Sequence, residues 1–199
     1  GAKKKLNFNI NNFKKFKNKI NYLVIDQPPN NLLKLVHNEP EHKKGEKLIL
    51  NGMARDYFQR ENIIKGLNDS EENDMILISD LDEIPNLSGL DLSKIKNKII
   101  IFEQKMFYYK LNLLYEDSLW YGTKACKKKH LISPQWLRNI KAKKYPPWRF
   151  DLLFSKKKYT DVFFVKNGGW HFTYLKTPED LEKKLLNFAH HYEFEKSGL

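Results

Sequence analysis

Two aspartates separated by a single residue, Asp80 and Asp82, are the side chains in this sequence with the clearest chemical potential. They directly follow an apolar run, residues 75–78, that has the length of a buried strand. In an extended segment, side chains at positions i and i+2 point the same way, so these carboxylates would repel each other. Mg²⁺ and Mn²⁺ prefer oxygen ligands and often bind one or two carboxylates together with substrate phosphates. The pair therefore predicts a divalent-metal site, and a solvated turn is the alternative.

The segments around this acidic turn predict helices and strands that alternate early, with strands dominating later. Strands are expected at residues 22–25, 75–78, 99–102, 106–109, 118–125, 162–165 and 170–174. Helices are expected at about 52–67, 134–140 and after Thr177, with a short amphipathic helix within 7–19 and a loop over 26–47. Asn167-Gly168-Gly169 has the composition of a turn joining the last two strands. This pattern predicts a mixed α/β sheet covered by helices, with the acidic turn at a strand's carboxyl end, where ligands bind.

Composition predicts one folded domain and excludes several classes of protein. The chain has 199 residues, of which 41% are hydrophobic and 14% aromatic, so a disordered chain is excluded and residues 1–199 are expected to form a single domain. No run approaches the ~18 apolar residues of a membrane span. Cys126 is the single cysteine, which excludes an internal disulfide and a Cys-rich zinc site and fits a reducing compartment.

The formal net charge of +12 leaves two other classes of function open. Scattered lysine clusters and many aromatic residues are compatible with a nucleic-acid-binding module, although no recognition motif accompanies them. A metal-dependent phosphotransferase or nuclease would use the same paired carboxylates. Lysines in solvent-exposed loops would account for the positive net charge without either of these functions.

Four sequence blocks resemble, in order, those of glycosyltransferase family 17, the β-1,4-mannosyl-glycoprotein N-acetylglucosaminyltransferases. Residues 79–85 (SDLDEIP) resemble the hallmark of the family, and residues 54–60 (ARDYFQR) resemble its Arg-containing helix ahead of the acidic strand. Residues 120–125 (WYGTKA) resemble its Trp-x-Gly-Thr segment, and residues 169–174 (GWHFTY) its Gly-Trp-His-Phe-Ser-Tyr segment. Residues 183–190 are similar to the helix that follows.

This resemblance implies a GT-A fold with a mixed, mostly parallel central sheet flanked by helices. It also implies a UDP-sugar donor (UDP-GlcNAc in the known family), Mn²⁺ or Mg²⁺, inversion at the sugar carbon, and a glycan or glycoprotein acceptor. The chain begins after the position of the family's first β-strand, so that strand is expected to be missing from an N-terminally truncated domain. No nucleic-acid partner and no membrane segment are expected.

The resemblance also assigns roles to individual residues. Asp80 and Asp82 are the expected metal ligands, with Asp80 also contacting the donor. His171 lies in an aromatic strand and would by itself be read as a core histidine, but GT-A enzymes commonly supply a late histidine as a further metal ligand. Trp170 is expected either to pack or to stack on a sugar ring.

Three basic residues are candidate donor-binding groups. Arg55 and Arg60 lie on the helix before the acidic strand, where a guanidinium can pair with a diphosphate or simply face solvent. Lys124 follows Gly122 and is expected either to meet a phosphate or to lie on the surface.

An inverting transfer needs a general base for the acceptor hydroxyl. Asp151 is the candidate, because it follows the aromatic stretch 146–150, which is suited to form an acceptor wall. The other candidate bases are Glu116, Asp117 and Glu103. Glu83 is expected to point away from Asp82 and to orient the acidic turn.

Overall fold

The computed structural model describes residues 8–186, which form strands, α-helices and short 3₁₀ turns. The strands are β1 (Met75–Ile78), β2 (Glu83–Pro85), β3 (Ile99–Phe102), β4 (Gln104–Tyr108), β5 (Leu114–Trp120), β6 (Lys124–Lys127), β7 (Val162–Val165) and β8 (Gly169–Thr173). The α-helices are α1 (Glu41–Glu61), α2 (Pro134–Asn139) and α3 (Pro178–Leu186). The 3₁₀ segments are Ile10–Lys19, Asn62–Leu67, Leu92–Lys94, Lys128–His130 and Phe150–Leu152. The prediction of a mixed α/β fold is confirmed.

The first sheet has the strand order β1-β6-β3-β7 and holds the core. All four residues of β3 are fully buried, because both faces of this sheet are covered. Ile99 and Ile101 pack on the side that carries Leu137 of α2, whereas Ile100 and Phe102 pack on the opposite side. The period-two alternation of β-strand side chains explains this division.

The second sheet has the order β2-β8-β4-β5 and continues directly from the first. Glu103 alone separates β3 from β4, and residues 79–82, 121–123 and 166–168 link the other strands of the two sheets. In the first sheet β1 pairs with β6, whereas β2 pairs with β8 in the second. The acidic turn, which joins β1 to β2, therefore crosses from the first sheet, beside β6, to the second sheet, beside β8.

The expectation of one mostly parallel sheet is wrong. Among the described pairings, β3–β7 and β4–β8 are parallel, whereas β1–β6, β3–β6, β2–β8 and β4–β5 are antiparallel. The reason is local: a short turn between β4 and β5 forces an antiparallel hairpin, and β6 continues in the direction of β5. Within the described residues, no helix is both long and apolar enough to span a membrane.

Three local expectations also need correction. Residues 22–25 are exposed and belong to no strand of the described residues, so they are not the expected buried strand. Helix α1 begins at Glu41, directly after Pro40, and not near residue 52. The turn at 167–169 connects strands of different sheets rather than a hairpin, with Asn167 at φ 47° and Gly169 at φ 127°.

The expected starts of the two later helices are confirmed. The Ser133 hydroxyl accepts the Trp136 N–H at 3.1 Å ahead of Pro134, which opens α2. The Thr177 hydroxyl accepts the Asp180 N–H at 3.2 Å ahead of α3. The remainder of the block 183–190 lies outside the described residues from position 187 onward.

Candidate functional site

Hydrogen bonds to both neighbouring strands hold the acidic turn in place. The Glu83 N–H donates to the Asp80 carbonyl at 3.0 Å and closes the turn. The Ser79 hydroxyl donates to the Glu83 carbonyl at 3.0 Å and lies 2.7 Å from the Thr123 hydroxyl. On the other side, the Phe172 N–H of β8 donates to the Asp82 carbonyl at 2.9 Å. These bonds therefore hold the turn in one conformation at the junction of the two sheets.

Glu83 is the residue that accepts most hydrogen bonds around this turn, and its side chain has no exposed surface. Its carboxylate accepts the Trp120 indole N–H at 2.7 Å and two N–H groups of Arg138 at 2.8 and 2.9 Å. It also accepts the backbone N–H of Asp80 at 3.0 Å. Glu83 thus orients the turn, as expected, by satisfying donors from several elements at once.

Gly122 is the glycine that leaves room for this carboxylate. A Cβ at position 122 would overlap the Glu83 carboxylate and the Trp120 indole nitrogen. We expect Gly122→Ala to lower the free energy of unfolding by about 2 kcal/mol or more, because the buried carboxylate cannot move without losing its donors.

Urea unfolding would measure this effect, with Gly66→Ala as the control. A Cβ at Gly66 would meet Leu23 at an ordinary contact distance of 3.4 Å. Equal stability of the Gly122 variant and the wild type would contradict the tight packing.

Two arginines bind the carboxylate of Asp80. Arg60 Nη2 lies 3.1 Å from Asp80 Oδ1, and Arg138 Nη2 lies 2.7 Å from Asp80 Oδ2. Arg60 also donates to Gln135 at 2.5 Å, which fixes the end of α1 against α2. Sequence reasoning missed Arg138, because nothing local marks a helix arginine as the partner of a carboxylate 58 positions away.

Asp82 faces His171 instead. The distance from His171 Nε2 to Asp82 Oδ2 is 3.6 Å, and the imidazole lowers the pKa of Asp82 against the opposing effect of partial burial. The His171 ring stacks on Trp120 with centroids 4.5 Å apart, so the Trp120–Glu83 bond also fixes this imidazole. His171 Nδ1 is buried and has no hydrogen-bond partner in the described part of the chain.

The two aspartates therefore have different partners. Residues 81–82 form a turn, so the i, i+2 geometry of an extended segment does not apply, and Leu81 between them is fully exposed. Asp82 and His171 come together as expected, whereas Asp80 is engaged by Arg60 and Arg138. Across residues 8–186, no group of three or more His, Cys, Asp or Glu side chains is placed to hold an ion. A metal here would need ligands from its substrate or from water.

A cavity of about 440 Å³ opens beside Asp80. Its polar lining includes Arg60, Asp56 and Gln59, and its apolar lining comes from Leu23 and neighbouring residues. Burial raises the pKa of Asp56, the Asp80 charge adds to this, and Arg60 opposes it. An adjoining cavity of about 650 Å³ lies between residues 22–29 and α1.

Arg55 lines that adjoining cavity, on the exposed side of α1. The two cavities share three lining residues, which are Leu23, Ile25 and Gln59. Arg55 and Arg60 therefore line two neighbouring cavities with shared wall residues.

Lys124 lines neither of these cavities, so its position does not support the expected contact with a donor phosphate. It is buried, and its ammonium donates to the carbonyls of Arg138 and Ile140 at 2.5 and 2.6 Å, at the end of α2. Burial lowers its pKa to about 8. Its role in the structure is to bind the last carbonyls of a helix.

This lysine predicts a pH dependence of stability. Its pKa falls from 10.5 to about 8 on folding, so the burial penalty is fully present below pH 8 and disappears above pH 10.5. Between these values the unfolded chain binds more protons, and stability rises with pH by up to about 3 kcal/mol from this group.

Urea unfolding from pH 7 to 10.5 should show the wild type gaining stability relative to Lys124→Met. The carbonyls that the variant leaves unpaired do not titrate, so their cost is constant. Parallel stability curves for the two proteins would contradict the shifted pKa.

Asp151 is also unsuited to its expected role as general base. It is exposed and bonded to Arg149 and Lys158, each at 2.8 Å, and the Arg149 hydrogen bond is the main reason that its pKa falls to about 2. A carboxylate with so low a pKa is a weak base at neutral pH. The cavity beside residues 147–153 shares no lining residue with the cavity beside Asp80.

The other carboxylates considered as bases are placed differently. Glu116 and Asp117 are exposed on β5, and Glu103 is buried and paired with Lys166 at 2.8 Å. Trp170 precedes His171 on β8 and is exposed, so its ring lies on the opposite face of the strand from the imidazole.

Comparison of the chain with protein-family models, with curated proteins and with solved structures gives no match in any of the three.

Proposed function

We propose that this chain is a metal-dependent glycosyltransferase that takes a sugar from a UDP-sugar, with UDP-GlcNAc as the first donor to test. The observation that carries the proposal is the pairing of Asp82 with His171 at 3.6 Å, on the same turn whose Asp80 borders a cavity of about 440 Å³. A glycan or glycoprotein is the proposed acceptor, with inversion at the transferred carbon.

The carboxylate of Asp82 suits Mn²⁺ and Mg²⁺, and the imidazole of His171 favours Mn²⁺, because Mg²⁺ binds oxygen ligands in preference to nitrogen. Two protein ligands are a common number for ions whose remaining positions go to substrate phosphates and water. When bound, the ion would neutralise charge on the diphosphate leaving group. The stack of His171 on Trp120 holds the imidazole in one orientation, which favours a preformed ligand pair.

Arg60 is the proposed donor-binding cation. Its guanidinium lies on the cavity wall and is bonded to Asp80, so an incoming diphosphate would compete with a carboxylate for the same N–H groups. Asp80 is then a positioning residue that keeps Arg60 and Arg138 aligned. Asp56 and Gln59 line the same cavity and offer acceptors suited to ribose hydroxyls.

Calorimetry of UDP binding tests this proposal. We expect binding that strengthens with Mn²⁺, and an affinity that is at least about tenfold weaker in Arg60→Met, which loses a charge-assisted bond. Arg149→Met is the matched control, because Arg149 lies on an exposed loop and is paired with Asp151. A folded wild type without affinity for UDP in either condition would overturn the proposal. Phosphodiester hydrolysis without a sugar acceptor would favour a nuclease instead.

A further inference from the structure

Residues 141–158 form a loop with fixed ends, here called the aromatic loop. The Lys141 N–H donates to the Lys157 carbonyl at 2.7 Å and closes the loop. The indole N–H of Trp136, a buried residue of α2, donates to the Lys156 carbonyl at 2.9 Å. The base of the loop is therefore held by the core, and its tip projects from a rigid support.

Large apolar side chains at the tip of the aromatic loop are almost fully exposed. The exposed fractions are 75% for Trp148, 81% for Phe150, 78% for Leu153 and 90% for Phe154. Side chains of this size are normally buried, and a group of them within seven residues marks an interaction site.

Part of the backbone of the tip is hydrogen-bonded within the loop. The N–H groups of Leu152, Leu153 and Ser155 donate to carbonyls three residues earlier, at 3.1 to 3.2 Å. These bonds reduce the number of backbone groups that transfer of the tip out of water would leave without partners.

Positive charge surrounds this apolar tip. The aromatic loop contains seven Lys or Arg residues and one acidic residue, Asp151. Asp151 neutralises part of the charge through Arg149 and Lys158. The remaining lysines of the loop are exposed: Lys141, Lys143, Lys144, Lys156 and Lys157.

We propose that the aromatic loop docks this protein on an anionic lipid bilayer. The four apolar side chains enter the interfacial region, where Trp and Phe are favoured, and the lysines meet lipid phosphates. Nucleic acid fits this surface less well. Leu153 cannot stack on a base as an aromatic ring does, and Arg149 is already bonded to Asp151. The proposal is independent of the proposed sugar transfer.

Co-sedimentation of the whole protein with vesicles tests this proposal. We expect binding to mixed phosphatidylcholine and phosphatidylserine vesicles, weak binding to phosphatidylcholine alone, and a decrease with added salt. The double variant F150S/F154S should bind at least about tenfold more weakly, because it loses two inserted rings. The control variant L111S changes a side chain that is 67% exposed on a different loop, and it should bind like the wild type.

A second measurement does not depend on the double variant folding. Brominated lipids in the mixed vesicles should quench the fluorescence of the wild type, and W148F should lose most of that quenching. The proposal is overturned if the wild type does not bind anionic vesicles, or if W148F is quenched as strongly as the wild type. It is also overturned if folded F150S/F154S binds as tightly as the wild type, or if the aromatic-loop variants lose RNA binding and keep vesicle binding.

Discussion

Replacing Asp82 with asparagine should reduce sugar transfer about a hundredfold or more while the fold stays intact. The change keeps the shape of the side chain but removes the charge that would bind the ion. The side chain of Asp82 is partly exposed and faces His171, so its loss removes no core contact. Initial rates of transfer from UDP-GlcNAc with Mn²⁺ would measure the effect, and urea unfolding would confirm the fold.

The matched control for Asp82→Asn is Asp117→Asn, the same chemical change on the exposed strand β5. This control should keep the wild-type rate. Full activity of Asp82→Asn would exclude Asp82 as an essential ligand.

Replacing Glu83 with glutamine should lower the free energy of unfolding by about 3 kcal/mol or more. The change removes the charge that faces Arg138 inside the protein and leaves that nearly buried guanidinium with Asp80 alone. The new amide also brings an N–H group toward the donors of Trp120 and Arg138. Urea unfolding at neutral pH would measure the loss.

Glu103→Gln is the control for Glu83→Gln. Glu103 is also buried, but its partner Lys166 is an exposed lysine, and an ion pair with one solvated member contributes little. We expect a loss below about 1 kcal/mol there. Equal losses at the two positions would show that Glu83 does not hold the site together.

The elements that the sequence predicts well are those set by local signals. The apolar runs of β1, β3 and β7 are short and continuous, and buried strands of a covered sheet require that pattern. Ser133-Pro134 gives a complete start signal for α2.

Residues 22–25 show why other elements could not be predicted. Their apolar pattern is that of a strand, but they lie exposed along a cavity beside α1 and pair with no strand between residues 8 and 186. The sequence predicts the start of α1 too late for a related reason, because the first half of the helix has no clear apolar stripe and contains Gly45. In both cases tertiary contacts, and not local pattern, decide the structure.

The site was predictable where its residues are neighbours in sequence. Glu83 lies beside the aspartates, and its role in orienting the turn follows from that position. The sequence does not identify Arg138 as a partner of Asp80, because this contact depends on how α2 packs against the junction of the two sheets. The aromatic neighbours of Asp151 make it a candidate base in the sequence, but in the structure those neighbours are exposed on a separate loop.

Crystals soaked with Mn²⁺ and UDP-GlcNAc give the most direct measurement of the central claim. Anomalous scattering should place the ion within coordinating distance of Asp82 Oδ2 and His171 Nε2, with phosphate oxygens completing its shell and Arg60 on the diphosphate. An ion bound elsewhere, or UDP-GlcNAc bound away from the cavity beside Asp80, would contradict a metal-dependent transferase built on this turn.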